Sequence, residues 1–188
     1  VMLLNVRDPT AKAADLVRFV ENGGGLFVSV GDQVDVDAWA KALPALLPMA
    51  LNVEKTAADR GQPDAAARAA RFDEVDFQHP ALSIFGGEAK EGLMGVRTYR
   101  YLTVKPISKG PAAHVMARFD DGSPALVEAR RGKGRVLLFT STADRDWTDW
   151  PIRTSYLPGQ LFGGVIALLV LLSLLSGLVV YAPYVKRI

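Results

Sequence analysis

The chain has 188 residues, with 22 basic and 20 acidic side chains and no cysteine. The lack of cysteine excludes disulfides, thiolate zinc sites and a cysteine nucleophile from its chemistry. The net charge of +2 is local, because Lys186 and Arg187 follow the last apolar segment. The rest of the chain is balanced in charge and has no basic stripe, so we expect no nucleic-acid partner.

The first half of the sequence has the pattern of a strand–helix–strand unit. The apolar run over 2–6 predicts a strand, and apolar residues that recur every three or four positions over 13–20 predict a helix. Glycines at 23–25 end that helix, and the unbroken apolar run over 26–30 predicts a strand buried on both faces. This order and spacing indicate that the two strands pair in parallel.

The middle of the chain is less regular. A second helix is predicted to begin at Asp35 or Asp37, since an aspartate can cap the free backbone N–H groups of a first turn. Residues 52–71 are polar and rich in alanine, which is typical of a surface excursion with one or two helical turns.

The second half has the pattern of an antiparallel β structure. Four runs rich in β-forming residues predict strands over 97–104, 113–119, 125–130 and 135–141. The Asp-Gly turn within 120–124 and the Gly-Lys-Gly turn within 131–134 predict tight hairpins between the last three strands. We therefore predict an α/β fold class, with a partly parallel sheet flanked by helices and a β-rich second half.

The segment 161–182 carries no charged residue and matches the roughly 20 apolar residues that cross a bilayer as a helix. We predict a transmembrane helix there, a bilayer partner, and a bacterial inner-membrane location. Basic residues directly after the span favour a cytoplasmic tail at 183–188 and an extracytoplasmic domain. The chain begins without methionine, inside an apolar run, so we expect a fragment or a processed product.

The predicted organisation follows from these patterns. One extracytoplasmic domain comprises an α/β half over 1–95 and a β-rich half over 96–150. A juxtamembrane linker over 151–160 leads to the membrane span.

Two loops hold the candidate binding residues. Asp32 and Asp35 directly follow the predicted central strand, where open α/β sheets place their ligands. Asp144, Asp146 and Trp147 follow the last strand and could form a polar binding rim. The alternative interpretation is structural, because aspartates cap turns and helices, and tryptophans pack against a domain or an interface.

No catalytic residue, cofactor or metal site is predicted. The glycines at 23–25 end a helix, whereas a phosphate loop would follow a strand and open a helix. Ser29 is in the middle of a strand and not in a nucleophile elbow. His79 and His114, the two histidines of the chain, lack the spacing of a metal motif, so structural roles are favoured.

A resemblance is carried by three stretches, FVENGGGLFVSVGDQVD, FQHPAL and ARFDDGSPALVEARRGKGRVLLFTSTADRDWTDWPIRTSYLP. They resemble bacterial membrane proteins of the BatA, or aerotolerance-regulator N-terminal, type. The resemblance implies a class I glutamine amidotransferase-like or flavodoxin-like α/β domain. Gly31-Asp32 occupies the place where active amidotransferases have their cysteine, and no metal-adhesion motif of the von Willebrand type is present. The resemblance therefore implies a protein without enzymatic activity.

These observations predict a membrane-anchored, non-enzymatic envelope protein whose domain binds or scaffolds other envelope membrane proteins, in a stress-tolerance assembly. Two alternatives stay open. One is a divergent carboxylate- or metal-dependent hydrolase that uses Asp32 with Asp144 or Asp146, which requires these carboxylates to converge. The other is a ligand-sensing domain.

Overall fold

The structure, a computed structural model, describes residues 1–44, 46–87, 89–107, 110 and 112–152. Its helices are α1 (Ala13–Glu21), α2 (Val36–Ala42), α3 (Ala65–Arg68) and α4 (Ala89–Met94). Its strands are β1 (Met2–Leu4), β2 (Gly25–Ser29), β3 (Ala50–Thr56), β4 (Phe72–Val75), β5 (Arg100–Lys105), β6 (Ala113–Phe119), β7 (Pro124–Arg131) and β8 (Gly134–Phe139).

Six strands form one mixed sheet in the order β1-β2-β8-β7-β6-β4. β1, β2 and β8 are parallel, with Phe27 opposite Leu137 in the register of β2 and β8. The pairs β8–β7, β7–β6 and β6–β4 are antiparallel. β8 thus joins the two parts of the sheet, because it pairs with β2 in parallel and with β7 in an antiparallel hairpin.

Each face of this sheet packs into a hydrophobic core, since its central strands have apolar side chains on both sides. Along β8, Val136 and Leu138 belong to a core that also contains residues of α1 and α2. Leu137 and Phe139 point to the opposite core, which contains Leu93 of α4. All four β8 side chains are at most 8% exposed. A strand with both faces buried has a continuous apolar sequence, as β8 does.

α1 is held close to the start of β8 by backbone contacts that leave no room for a side chain. A Cβ at Gly134 would lie 2.1 Å from the carbonyl oxygen of Val20 and 2.3 Å from that of Gly24. Gly23, directly after the helix, has φ +111°, a conformation that favours glycine. The glycines therefore end α1, as predicted, and let the chain turn directly into β2.

A two-stranded antiparallel sheet of β3 and β5 packs beside the main sheet. The backbone N–H of Leu102 in β5 donates to the carbonyl oxygen of Thr140, directly after β8, at 2.8 Å. Asp121, in the turn between β6 and β7, accepts hydrogen bonds from Lys55 of β3 and from the buried Tyr101 hydroxyl of β5. These contacts fix the small sheet to the hairpin.

The predicted fold class was wrong. The described residues form a mixed fold with a core made mostly of sheet, and their helices are few and short. We predicted a helix-flanked, amidotransferase-like or flavodoxin-like sheet with a C-terminal transmembrane helix. No helix within the described ranges is long and apolar enough to span a bilayer. The predicted linker from residue 153 onward, the span 161–182 and the tail 183–188 lie outside the described residues.

The reason for the difference is the position of β8. Its sequence predicts a buried strand but does not say which strands it joins. Inserted beside β2, it brings the antiparallel strands of the second half into the same sheet as the parallel unit. The regions 1–95 and 96–150 therefore both contribute strands to one sheet.

Candidate functional site: an arginine-lined cleft

The predicted site residues Asp32 and Asp35 lie together after β2, and both make local structural contacts. Asp32 Oδ1 accepts a hydrogen bond at 2.7 Å from Nδ2 of Asn5, which follows β1 and has φ +51°. Asp35 Oδ1 accepts from the N–H of Ala38 at 3.0 Å and so caps α2. A cavity of about 450 Å³ adjoins both carboxylates and Arg7. A binding role for these carboxylates stays a prediction.

The second predicted set lies in the loop after β8. Asp144 Oδ1 accepts from the N–H of Asp146 at 2.9 Å, which fixes a tight turn, and both side chains are exposed. Trp147 is only 3% exposed and packs in the core with residues of α1 and α2. Within the described ranges, the four predicted aspartates do not belong to any group of three or more residues able to share a metal ion.

A cleft of about 470 Å³ lies beside this second loop. Its lining, which defines what we call the arginine cleft, comprises Arg60, Arg97, Tyr99, Arg145, Asp149 and Ile152. Three separate segments contribute: the loop after β3, the segment before β5, and the loop after β8. The third segment was predicted to form a binding rim, but through Asp144, Asp146 and Trp147 and not through the residues that line the cleft.

Backbone hydrogen bonds hold the floor of the cleft in place. The N–H of Arg97 donates to Asp149 Oδ1 at 2.7 Å, and the N–H of Asp149 donates to the Arg97 carbonyl oxygen at 2.9 Å. The N–H of Tyr99 donates to the Trp147 carbonyl oxygen at 2.7 Å. Thr98, between them, bridges to Ala70 on one side and to the 147–149 loop on the other. These bonds fix the backbone of Arg97 and Tyr99 against the loop after β8.

The side chains of the cleft carry an excess of positive charge. Within the described part of the chain, none of the three guanidinium groups forms an ion pair. The Arg60 guanidinium stacks over the Tyr99 ring at 4.3 Å from its centroid, and Arg97 Nε is buried without a hydrogen-bond partner. Among the described residues of the lining, Asp149 is the one carboxylate beside three arginines, so these side chains carry a net charge of +2.

Such a lining suits an anion. A guanidinium is always charged and offers several N–H donors in a plane, which matches the oxygens of a phosphate or a carboxylate. Residues of this type are unfavourable close together unless a counter-charge is near. The arrangement can therefore hold an anion, and the described residues of its lining include no thiol, serine or histidine.

Comparisons with known proteins show similarity in fold alone. Neither a protein-family model nor a curated protein matches the chain. Among solved structures, Cytoplasmic Protein STM3548 from Salmonella typhimurium has a TM-score of 0.58 at 17% identity, with 83% of this chain covered. Cytoplasmic Protein STM1381 from Salmonella typhimurium LT2 has a TM-score of 0.55 at 16% identity, with 86% covered. This chain spans 59% of the length of each.

A third structural neighbour is the E323A catalytic mutant of Gan42B, a GH42 β-galactosidase from G. stearothermophilus. Its TM-score is 0.51 at 16% identity, and it covers 93% of this chain. This chain spans only 21% of that enzyme's length. At these identities the similarity concerns the arrangement of helices and strands, and it assigns no activity.

These findings contradict the predicted membrane protein of aerotolerance type and its inner-membrane location. The neighbours described above are two proteins named cytoplasmic and a β-galactosidase, not membrane or aerotolerance proteins. The described residues contain no helix that could span a bilayer. The predicted bilayer contact at 161–182 lies outside the described residues. The resemblance to BatA-type proteins itself, and a non-enzymatic character, stay predictions.

Proposed function

We propose that this protein is a binding domain that recognises the phosphate or carboxylate group of a small anionic ligand in the arginine cleft. The observation that carries the proposal is the convergence of Arg60, Arg97 and Arg145 on one cleft without ion pairs of their own among the described residues. Binding agrees with the described part of the lining, which offers positive charge and hydrogen-bond donors.

Charge favours a phosphate as the group that is bound. A phosphate monoester carries about −1.5 to −2 charges at pH 7, which matches the charge of +2 on the lining side chains. Arg97 supplies a donor that is already desolvated, because its Nε is buried and has no partner. A donor in this state gains a hydrogen bond on binding without losing one to water.

Isothermal titration calorimetry of the full chain with inorganic phosphate, phenyl phosphate and acetate tests the proposal. We expect phenyl phosphate to bind, and its affinity to fall as salt is raised, since partly exposed charges are screened. Arg97→Gln and Arg145→Gln should each weaken binding by about tenfold or more, the cost of one charge-assisted hydrogen bond.

Arg18→Gln is the matched control. Arg18 is on α1, its side chain is 73% exposed, and it pairs with Asp15 away from the cleft lining. Binding by this variant should equal that of the unaltered chain. The proposal fails if neither anion class binds, or if Arg18→Gln weakens binding as much as the two cleft variants do. Arg145 is exposed, so its variant tests the cleft even if Arg97→Gln reduces stability.

A further inference from the structure

A second cluster of polar side chains, separate from the arginine cleft, lies at strands β6 and β7 of the main sheet. His79, His114 and Glu128 each present a potential ligand atom, and these three atoms lie within 4.8 Å of one another. His114 on β6 is directly opposite Glu128 on β7 in the register of the two strands. His79 reaches them from the turn that follows β4. Three parts of the chain therefore converge at this point.

Glu128 is the buried centre of the cluster. It is 7% exposed, its Oε1 accepts a hydrogen bond from Arg135 Nη1 at 2.9 Å, and its Oε2 lies 3.1 Å from His79 Nε2. Burial alone would raise the pKa of Glu128, but the hydrogen bonds from Arg135 and His79 outweigh it and hold the pKa below its ordinary value. Oε2 of Glu128 therefore faces the histidines, while Oε1 is held by Arg135.

The two imidazoles are oriented by their neighbours. His79 Nδ1 accepts a hydrogen bond from the N–H of Ala81 at 3.2 Å, which leaves Nε2 as the nitrogen that faces Glu128. His114 Nε2 lies 3.4 Å from Asp76 Oδ2, and the two histidine rings are 5.6 Å apart at an edge-to-face angle. Asp76 is outside the cluster, and a carboxylate partner of this kind orients an imidazole that binds a metal.

The cluster opens onto free space. A cavity of about 630 Å³ is lined by both histidines and Glu128, together with Arg130, Arg131 and Arg135. Two imidazole nitrogens and one carboxylate oxygen form a donor set that suits zinc and its first-row neighbours, whereas calcium and magnesium prefer oxygen ligands alone.

We propose that His79, His114 and Glu128 form a binding site for one divalent transition-metal ion of the zinc class, with a further coordination position open to the cavity. Three protein ligands and one open position are the arrangement of zinc sites that bind a water or another small ligand. This site is separate from the arginine cleft, whose residues it does not share.

Binding changes the hydrogen bonds of the ligands in a defined way. For His79 Nε2 to bind the metal, its proton is released to solvent and Nδ1 takes up a proton from solvent. Nδ1 then no longer accepts from the Ala81 N–H. Glu128 Oε2 exchanges the His79 N–H for the metal, while Oε1 can keep Arg135.

The test uses the full chain with any affinity tag removed, titrated with Zn²⁺ by calorimetry and with Co²⁺ by absorption. We expect one equivalent to bind. Because the chain has only two histidines, long-range ¹H–¹⁵N spectra show both rings separately. Before metal is added, His79 should show its proton on Nε2; Zn²⁺ should shift both rings and move the His79 proton to Nδ1.

Variants separate this site from adventitious binding. His114→Ala changes a side chain that is 53% exposed, so it should fold, and it should weaken Zn²⁺ binding at least tenfold. Glu128→Gln should do the same if it folds. Glu74→Gln, an exposed carboxylate on the neighbouring strand β4, is the control and should bind as the unaltered chain does. Absence of binding, unshifted histidine signals, or equal binding by His114→Ala would overturn the proposal.

Discussion

Asp121 connects the small sheet to the main one, and replacing it by alanine should destabilise the fold measurably. Its carboxylate accepts from the Tyr101 hydroxyl, from Lys55 Nζ and from the N–H and hydroxyl of Ser123. Tyr101 is fully buried, and in Asp121→Ala its hydroxyl loses the carboxylate that accepts its hydrogen bond. An unsatisfied buried group of this kind costs about 1–3 kcal/mol.

The other partners of Asp121 add less. Lys55 is nearly half exposed, and ion pairs in such positions contribute about 0–1 kcal/mol. Because the substitution also removes the acceptor of the two Ser123 hydrogen bonds, we expect Asp121→Ala to lower the free energy of unfolding by about 2–3 kcal/mol at pH 7. For a chain of this length, this corresponds to a fall in melting temperature of about 5–10 °C.

The stabilisation by Asp121 should depend on pH, because it requires the ionised carboxylate. Burial alone would raise the pKa of Asp121, but the hydrogen bonds from Lys55, Tyr101 and Ser123 outweigh it and hold the pKa well below its ordinary value. The ionised carboxylate therefore stabilises the fold above its unfolded pKa of about 3.9, and this contribution is lost as the pH falls below that value. The deficit of Asp121→Ala should thus be full at pH 5–7 and smaller at pH 3.

Urea unfolding of Asp121→Ala, Tyr101→Phe and the double variant measures these effects. In the double-mutant cycle, the two changes should be less than additive by about 1 kcal/mol, because each removes the same hydrogen bond. The reasoning is refuted if Asp121→Ala is as stable as the unaltered chain at pH 7, if its deficit is the same at pH 3, or if the two changes are simply additive.

Two further predictions concern the packing around β8. Gly134→Ala should unfold the protein or lower its free energy of unfolding by more than about 3 kcal/mol, because the new Cβ would overlap the carbonyl oxygens of Val20 and Gly24. Gly122→Ala is the control: Gly122 has φ +81° and open space around it, so this change should lower the free energy of unfolding by only about 1 kcal/mol. Equal melting temperatures for these two variants would contradict the packing described. Leu138→Ala, at a fully buried position, should cost about 3–5 kcal/mol in urea unfolding, and a decrease below about 1 kcal/mol would show that the core is not packed as described.

Local elements of this fold were well predicted from the sequence. The helical spacing over 13–20 and the glycines after it correspond to α1 and its end, and the apolar run over 26–30 overlaps β2. The Asp-Gly and Gly-Lys-Gly turns connect β6 to β7 and β7 to β8, as predicted. These features depend on neighbouring residues, which a sequence pattern reports directly.

Pairing between distant strands was not predicted. β3 overlaps the start of the segment 52–71, which was predicted to be a surface excursion. Residues 53–56 of this strand are exposed and show no alternating apolar pattern, so the sequence does not predict a strand there. The helical turn predicted for that segment is present as α3. The pairing of β8 with β2 joins residues more than a hundred positions apart. An apolar strand is compatible with several neighbours, so its partner depends on the whole sheet.

The sites illustrate the same limit. The aspartates identified as candidates make hydrogen bonds that are typical of caps and turns, and a binding role for them is untested. The arginine cleft draws on three distant segments, which no local spacing could bring together. One signal was available, because the β6–β7 hairpin turn fixes the register that sets His114 opposite Glu128. The arrival of His79 at that pair requires the three-dimensional fold.

The central place of β8 also affects how the molecule can form. A nascent chain that ends before residue 134 has β2 and β7 but lacks the strand that lies between them. Neither strand can complete its ladder, and their apolar faces remain open to water. Synthesis must therefore proceed almost to the end of the described region before the sheet closes. Folding should be slow, because it needs contacts between remote parts of the chain, and truncation before β8 should yield an aggregating polypeptide, not a smaller folded unit.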